Sequence, residues 1–115
     1  MLGVTSRRHE HKSEYPVKNE KPDHPIMKRF PSDWTTPKDE LYIIEKVWPN
    51  TEVLASSISE KTGKLHPVMW TNTYGKARVF GTTYGHANET FDDPVFMDAV
   101  MNGLLWAASK ETQGL

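Results

Sequence analysis

Residues 66–86, HPVMWTNTYGKARVFGTTYGH, constrain the fold more than any other stretch of the chain. Pro67 to Asn72 and Ala77 to Thr83 are rich in Val, Trp, Phe and Thr, residues that suit a pleated, half-buried surface. Thr73, Tyr74, Gly75 and Lys76 form a short connection between them, and the whole predicts an antiparallel hairpin. Val68 and Trp70 point to one face of the first arm and Met69 to the other, while Val79 and Phe80 point to opposite faces of the second. Neither face is purely polar, so both must be covered. The second arm ends in Gly81, Thr82, Thr83, Tyr84, Gly85 and His86, where glycines free the backbone and a titratable ring follows the strand end. In layered α/β folds, ligands collect at that edge.

The stretch before Pro25 is polar, with Tyr15, Pro16 and Val17 as its apolar interruption, and reads as loop, a brief strand near 14–19, then loop. His9 and His11 share one side of an extended segment, a spacing some metals use, but with no third ligand nearby they read as solvated loop. KPDHPI, with Pro22 and Pro25 around Asp23 and His24, is a connector rather than a helix. In FPSDWTTP, residues 30–37, Trp34 is expected to fold back onto the body, since burying its ring is worth about 2–3 kcal/mol. Asp39 and Glu40 are adjacent and so face opposite ways, which reads as a solvated pair leading into a strand, not an acid and base. Strands are predicted at Leu41–Val47 and Glu52–Ser57, with a loop at Ile58–Leu65.

A loop over ANETFD is expected before a single clear helix. Asp93 suits its N-cap and Pro94 its first position, where a missing N–H costs nothing. Met97, Met101, Leu104, Leu105 and Ala108 recur at spacings of three and four, widened by Phe96, Val100 and Ala107, and are expected to pack on a sheet. Trp106 reads as core on the same grounds.

Composition narrows the function. At 115 residues the chain holds one domain, and its formal charge of −1 gives no positive field for nucleic acid or an anionic membrane. Absence of cysteine removes disulfides, thiolate metal sites and a cysteine nucleophile from these residues. No apolar run reaches a membrane span, and the start MLGVTSRRHEHK lacks the core of a signal peptide. A cytoplasmic chain is therefore favoured as it stands, with export open to a longer one. No HExxH metal motif or phosphate-cradling glycine loop is present, so neither metal nor cofactor is expected.

The runs HPIMKRFPSDW, DELY, EVLA, HPVMWTNTYGKARVFGTTYGH and DPVFMDAVMNGLLWA resemble the C-terminal half of the ThuA-like, or trehalose-utilisation, family. The likeness covers about residues 2–110 and is strongest over GKARVF and TTYGH. It implies an α/β, partial flavodoxin-like layered fold of the class I glutamine amidotransferase-like superfamily, with short strands, a β-hairpin and one C-terminal helix. Residues 1–115 would then be the C-terminal portion of a single domain, with 1–25 a polar leading segment and 26–110 carrying the strands, hairpin and helix. The family domain is about twice this length. Few strands and one helix cannot cover a sheet that is apolar on both faces, so a missing N-terminal half or a homo-oligomer is expected to supply the cover.

In that superfamily the histidine at this strand end activates a cysteine from the first half, and His86 occupies the comparable place. ThuA-like members generally lack the cysteine, so glutamine hydrolysis does not carry over. Many members place Asp after this histidine; here Ala87, Asn88, Glu89 and Thr90 follow, leaving no such orienting residue. The resemblance implies a small-molecule sugar as partner, trehalose or a related glycoside. Two readings follow. Either the domain acts on the sugar with His86 as general acid or base and Glu89 and His24 as secondary partners, or it is a non-catalytic sugar-binding module. In both, Trp70, Tyr74 and Tyr84 are the aromatics that could stack on a sugar ring, against the plainer reading that they pack the core. A third reading is an inactive, truncated remnant.

Overall fold

The structure, a computed structural model, describes residues 3–9, 13–59, 61–85 and 88–108, with the backbone alone at 5, 7–9 and 45. Along these run β1 (Val4–His9), β2 (Lys18–Asn19), β3 (Tyr42–Val47), β4 (Glu52–Ile58), β5 (Leu65–Tyr74), β6 (Ala77–Thr82), α1 (Asn88–Phe91) and α2 (Pro94–Ala108). They build a mixed α/β fold of antiparallel sheets with a C-terminal helix, as the sequence implies. One sheet pairs β1 with β3 and the other has the order β2-β4-β5-β6.

The hairpin forms where its residues predict it. Tyr74 pairs with Ala77, which leaves Gly75 and Lys76 as a two-residue turn, and Gly75 takes φ +59 as such a turn requires. Val68, Met69 and Trp70 are all buried, so both faces of β5 are covered. The Trp70 indole lies flat over its cross-strand partner: a Cβ built on Gly81 would meet it at 2.6 Å.

Three expectations are corrected. Val4–His9, read as loop, is a strand; its partner β3 lies some 40 residues away and the pairing is interrupted by two register shifts, so nothing local announces it. Asn88–Phe91, also read as loop, is a short helix. Asp39, read as solvated, is completely buried.

The helix α2 begins as predicted. Asp93 Oδ1 accepts the N–H groups of Val95 at 2.8 Å and Phe96 at 3.3 Å, an N-cap followed by Pro94. Trp34 folds back to the same point and its indole N–H donates to Asp93 Oδ2 at 3.3 Å. The face it buries is not the predicted one. Phe96, Ala99 and Gly103 go inward, while Met97, Met101, Leu104 and Leu105 are 39–60% exposed. This helix is apolar nearly all round, so periodicity could not decide its orientation. Side-chain size does: Gly103 lets the helix close on the Phe80 ring, which a Cβ would meet at 2.5 Å. Arg78 then ties β6 to the last turn of α2, donating to the Trp106 carbonyl and lying 4.5 Å over its ring.

Gly81→Ala should cost about 1–3 kcal/mol of stability, because Trp70 is buried on every side and has nowhere to move. Chemical denaturation measures it; a neutral result would mean that the indole does not rest on this backbone.

Candidate functional site

The strand β6 delivers the chain to the site. Thr82 Oγ1 accepts the Tyr84 N–H at 3.2 Å, a hydroxyl-capped turn that ends the strand. Tyr84 is buried, stacked on Tyr15 at a ring separation of 6.1 Å. Gly85 takes φ +105, and a Cβ there would meet the Phe96 ring at 3.0 Å, so both conformation and space reserve the position for glycine.

One buried carboxylate fixes this turn. Asp39 Oδ2 accepts the Gly85 N–H at 2.9 Å and the Thr90 hydroxyl at 2.5 Å, while Oδ1 accepts the Glu40 N–H at 2.7 Å. Its own backbone forms a two-way bridge with Ser13, both hydrogen bonds at 2.8 Å. Three donors offset the cost of taking this group out of water. The chain on either side of residues 86 and 87 is thereby bound to one atom. His86 itself lies outside the described residues, as does His11; His9 is described only as backbone.

Beside the end of β6 a cleft of about 560 Å³ opens between the two sheets, lined by Ser6, Tyr42, Ile44, Trp70, Thr82 and Thr83 among others. Among the described residues its walls offer hydroxyls over an apolar floor and no charged group. The two sheets that bound it are linked by His66, whose buried Nδ1 accepts the Ile44 N–H at 3.3 Å while Nε2 meets Thr62 Oγ1 at 3.1 Å. Sequence reading took Asp39 for a solvated residue and passed over His66. An isolated carboxylate or imidazole carries no periodicity, and only its distant partners reveal its role.

The remaining candidates are dispersed. Glu89 is exposed on α1. Trp70 and Tyr84 are core residues: Tyr84 lies under the turn, and Trp70, although buried, forms part of the floor of the cleft. Tyr74 is exposed, but at the turn end of the hairpin; Met69, not Tyr74, is level with Thr82, which sets Tyr74 about 17 Å away along the strand. His24 is not at the site either. Its ring lies 5.7 Å from Trp106, ten helical residues from the Phe96 that touches Gly85, a distance of about 15 Å. There it is structural: Nδ1 accepts the Ile26 N–H at 3.1 Å, and Nε2 is 3.9 Å from Glu52 Oε1. Among the described residues no group of three His, Cys, Asp or Glu is placed to hold a metal.

With this geometry the chain is an α/β protein whose hairpin leads into a loop anchored by a buried acid, and its relatives share that fold. The sequence profile described as ThuA, trehalose utilisation, matches residues 1–107: the chain belongs to the ThuA family. The crystal structure of a ThuA-like protein from Parabacteroides merdae superposes with a TM-score of 0.74 at 32% identity, covering 89% of this chain and 40% of that one. One from Bacteroides uniformis, 23% identical, shares the fold with a TM-score of 0.78 over 95% of this chain and 49% of that one. The chain thus spans less than half the length of either structure. No protein of curated function matches it.

Two outcomes follow. Asp39→Ala should destabilise the fold by about 2–4 kcal/mol in chemical denaturation, because three donors lose a charged acceptor, with Asp39→Asn costing less. An unchanged midpoint for Asp39→Ala would show that the carboxylate carries no tertiary load. For His24, burial holds the pKa below the ordinary 6.5, against a smaller upward pull from Glu52. The stability it contributes is full above the unfolded value of about 6.5 and is lost as pH falls through the lower folded value. His24→Asn keeps an acceptor for Ile26, so the stability gap between wild type and variant should narrow between about pH 7.5 and about pH 5. A gap that widens would contradict it.

Proposed function

We propose that this chain forms the His86-bearing part of a domain that acts on a carbohydrate of the trehalose or glycoside class, with His86 as general acid or base. The observation that carries the reading is the Asp39 clamp: one buried carboxylate binds Gly85 and Thr90, the residues flanking the loop that holds His86. A catalytic imidazole must be held within a fraction of an ångström of its working position, and a loop bound at both ends meets that need. Family membership supports a sugar as the substrate class. The adjoining cleft, whose described lining is hydroxyls and apolar groups, suits a neutral polyol. Glu89, exposed three residues on, is the nearest carboxylate in sequence for a proton relay.

Because the match spans only 40% and 49% of the solved relatives, we further propose that additional polypeptide covers the outer face of α2, where Met97, Met101, Leu104 and Leu105 stand in water.

The test is turnover of a panel of trehalose, its oxidised derivatives and related glycosides. His86→Ala should lower kcat by about 100-fold or more, the contribution of a general acid or base, with KM little changed. Equal turnover in wild type and variant removes His86 from the mechanism. Saturable sugar binding at the cleft without any product would favour the non-catalytic module.

A further inference from the structure

The connector that carries His24 lies along α2 as a strap. Its body is fixed: Ile26 and Met27 are buried, and the Asn19 side-chain amide donates to the carbonyls of Met27 and Phe30, both at 3.2 Å. Two contacts tie it to the helix. Arg29 donates to Asp98 at 2.7 Å, and the His24 ring rests against Trp106 at a ring separation of 5.7 Å. Asp98 and Trp106 are eight helical residues apart, so the two ties stand about 12 Å from each other along the axis.

The ties differ in their response to acid. A proton taken up near pH 6 changes an imidazole and leaves a guanidinium–carboxylate pair as it was. The histidine tie depends on one lone pair. His24 Nδ1 accepts the Ile26 N–H at 3.1 Å, which it can do only while it carries no hydrogen of its own. Protonation there turns the acceptor into a second donor, and two N–H groups then face each other. The side chain is 12% exposed, so an imidazolium held in this position is poorly solvated. A better seat is close by. Glu52 Oε1 is 3.9 Å from His24 Nε2, and Glu52 is about half exposed. A shift of about 1 Å toward it makes a charge-assisted hydrogen bond of about 2.8 Å.

Other charged groups shape this choice from each neighbouring element. On the connector itself, Asp23 precedes the ring, and Lys21 stands 3.8 Å from Glu52 Oε2 and competes for that carboxylate. From β6, Arg78 lies 4.5 Å over the Trp106 ring, which makes the indole a poor seat for a second cation. Burial lowers the His24 pKa below 6.5 and outweighs the upward pull of Glu52, so the neutral, docked form is the one present at neutral pH.

We propose that this strap is an acid-operated latch: protonation of His24 at Nδ1 frees its ring from the Ile26 N–H and from Trp106 and draws it onto Glu52, while Arg29 holds the other tie. The acid form uncovers the edge of the Trp106 ring and brings the imidazolium to the rim of a cleft of about 750 Å³, which Lys21, Glu52 and Ser56 help to line. The helix stays on the sheet throughout, because Arg78 keeps its bond to the Trp106 carbonyl. The latch is independent of any role for His86.

The test is a pH titration of the full 115-residue chain, isotopically labelled, from about pH 7.5 to about pH 4.5, read by NMR. The His24 ring carbons, the Ile26 amide and the Trp106 indole N–H should move with one shared midpoint below 6.5. Past that midpoint the Ile26 amide, corrected for its intrinsic rate, should exchange about tenfold faster or more, while the amides of β5 keep their protection. His24→Asn, which offers Ile26 an acceptor that does not titrate, should abolish the transition at Ile26 and Trp106. Glu52→Gln should move it to lower pH, since it removes the charge that raises the histidine. Separate midpoints for the ring and the Ile26 amide, a transition that survives in His24→Asn, or one that does not move down in Glu52→Gln would each overturn the proposal. So would loss of β5 protection at the same pH, which would make the event global unfolding. Turnover in His86→Ala has no bearing on any of these readouts.

Discussion

The carboxylate of Asp39 is the interaction on which this end of the molecule depends. A buried charge is tolerated only where hydrogen bonds replace water, and here three donors from three parts of the chain do so. Its backbone bridges Ser13 in the leading segment, and its side chain reaches the turn after β6 and the helix α1. Segments that share no sheet ladder are thus bound through one residue. Without it the turn after β6 would keep the Thr83 N–H donating to the Val68 carbonyl at 3.1 Å and the stack of Tyr84 on Tyr15, but Gly85 and Thr90 would lose their common acceptor.

The rest of the fold arranges matter around that point. His66 couples the two sheets across the cleft, and small residues on α2 let the helix settle onto Phe80 and the core. Close approach on one side leaves the larger residues of α2 on the other. That division is the reason the helix shows an apolar outer face: Ala99 and Gly103 must be inside for the helix to fit, so Met97, Met101, Leu104 and Leu105 cannot be. The hairpin has two ends, one leading to a turn pinned by the buried acid and the other carrying the exposed Tyr74 ring.

Features that depend on neighbours in sequence were legible before the structure. The hairpin follows from its β-branched and aromatic arms and Gly75; the start of α2 follows from Asp93 and Pro94; the return of Trp34 follows from the cost of leaving an indole in water. What was not legible depends on distant partners. The pairing of β1 with β3, the burial of Asp39 and the link through His66 each join residues more than 20 positions apart. The orientation of α2 was misread because apolar residues surround it, and the decisive signal was the smallness of Ala99 and Gly103, not the hydrophobicity of Met97 and Leu104. At the candidate site, His24 was grouped with His86 on chemistry alone, whereas its place against Trp106 is set by the connector that carries it. Family resemblance, carried by the hairpin and α2, was legible from the same local motifs and is matched over residues 1–107.

Amide hydrogen exchange at Gly85 tests the central claim most directly. If the Asp39 carboxylate holds this turn, the Gly85 N–H opens only with the core and exchanges as slowly as the amides of β5, although it lies beyond the sheet. Exchange at the rate of a solvent-exposed loop would mean that the turn is not clamped, and the basis for placing a working histidine beside it would be lost.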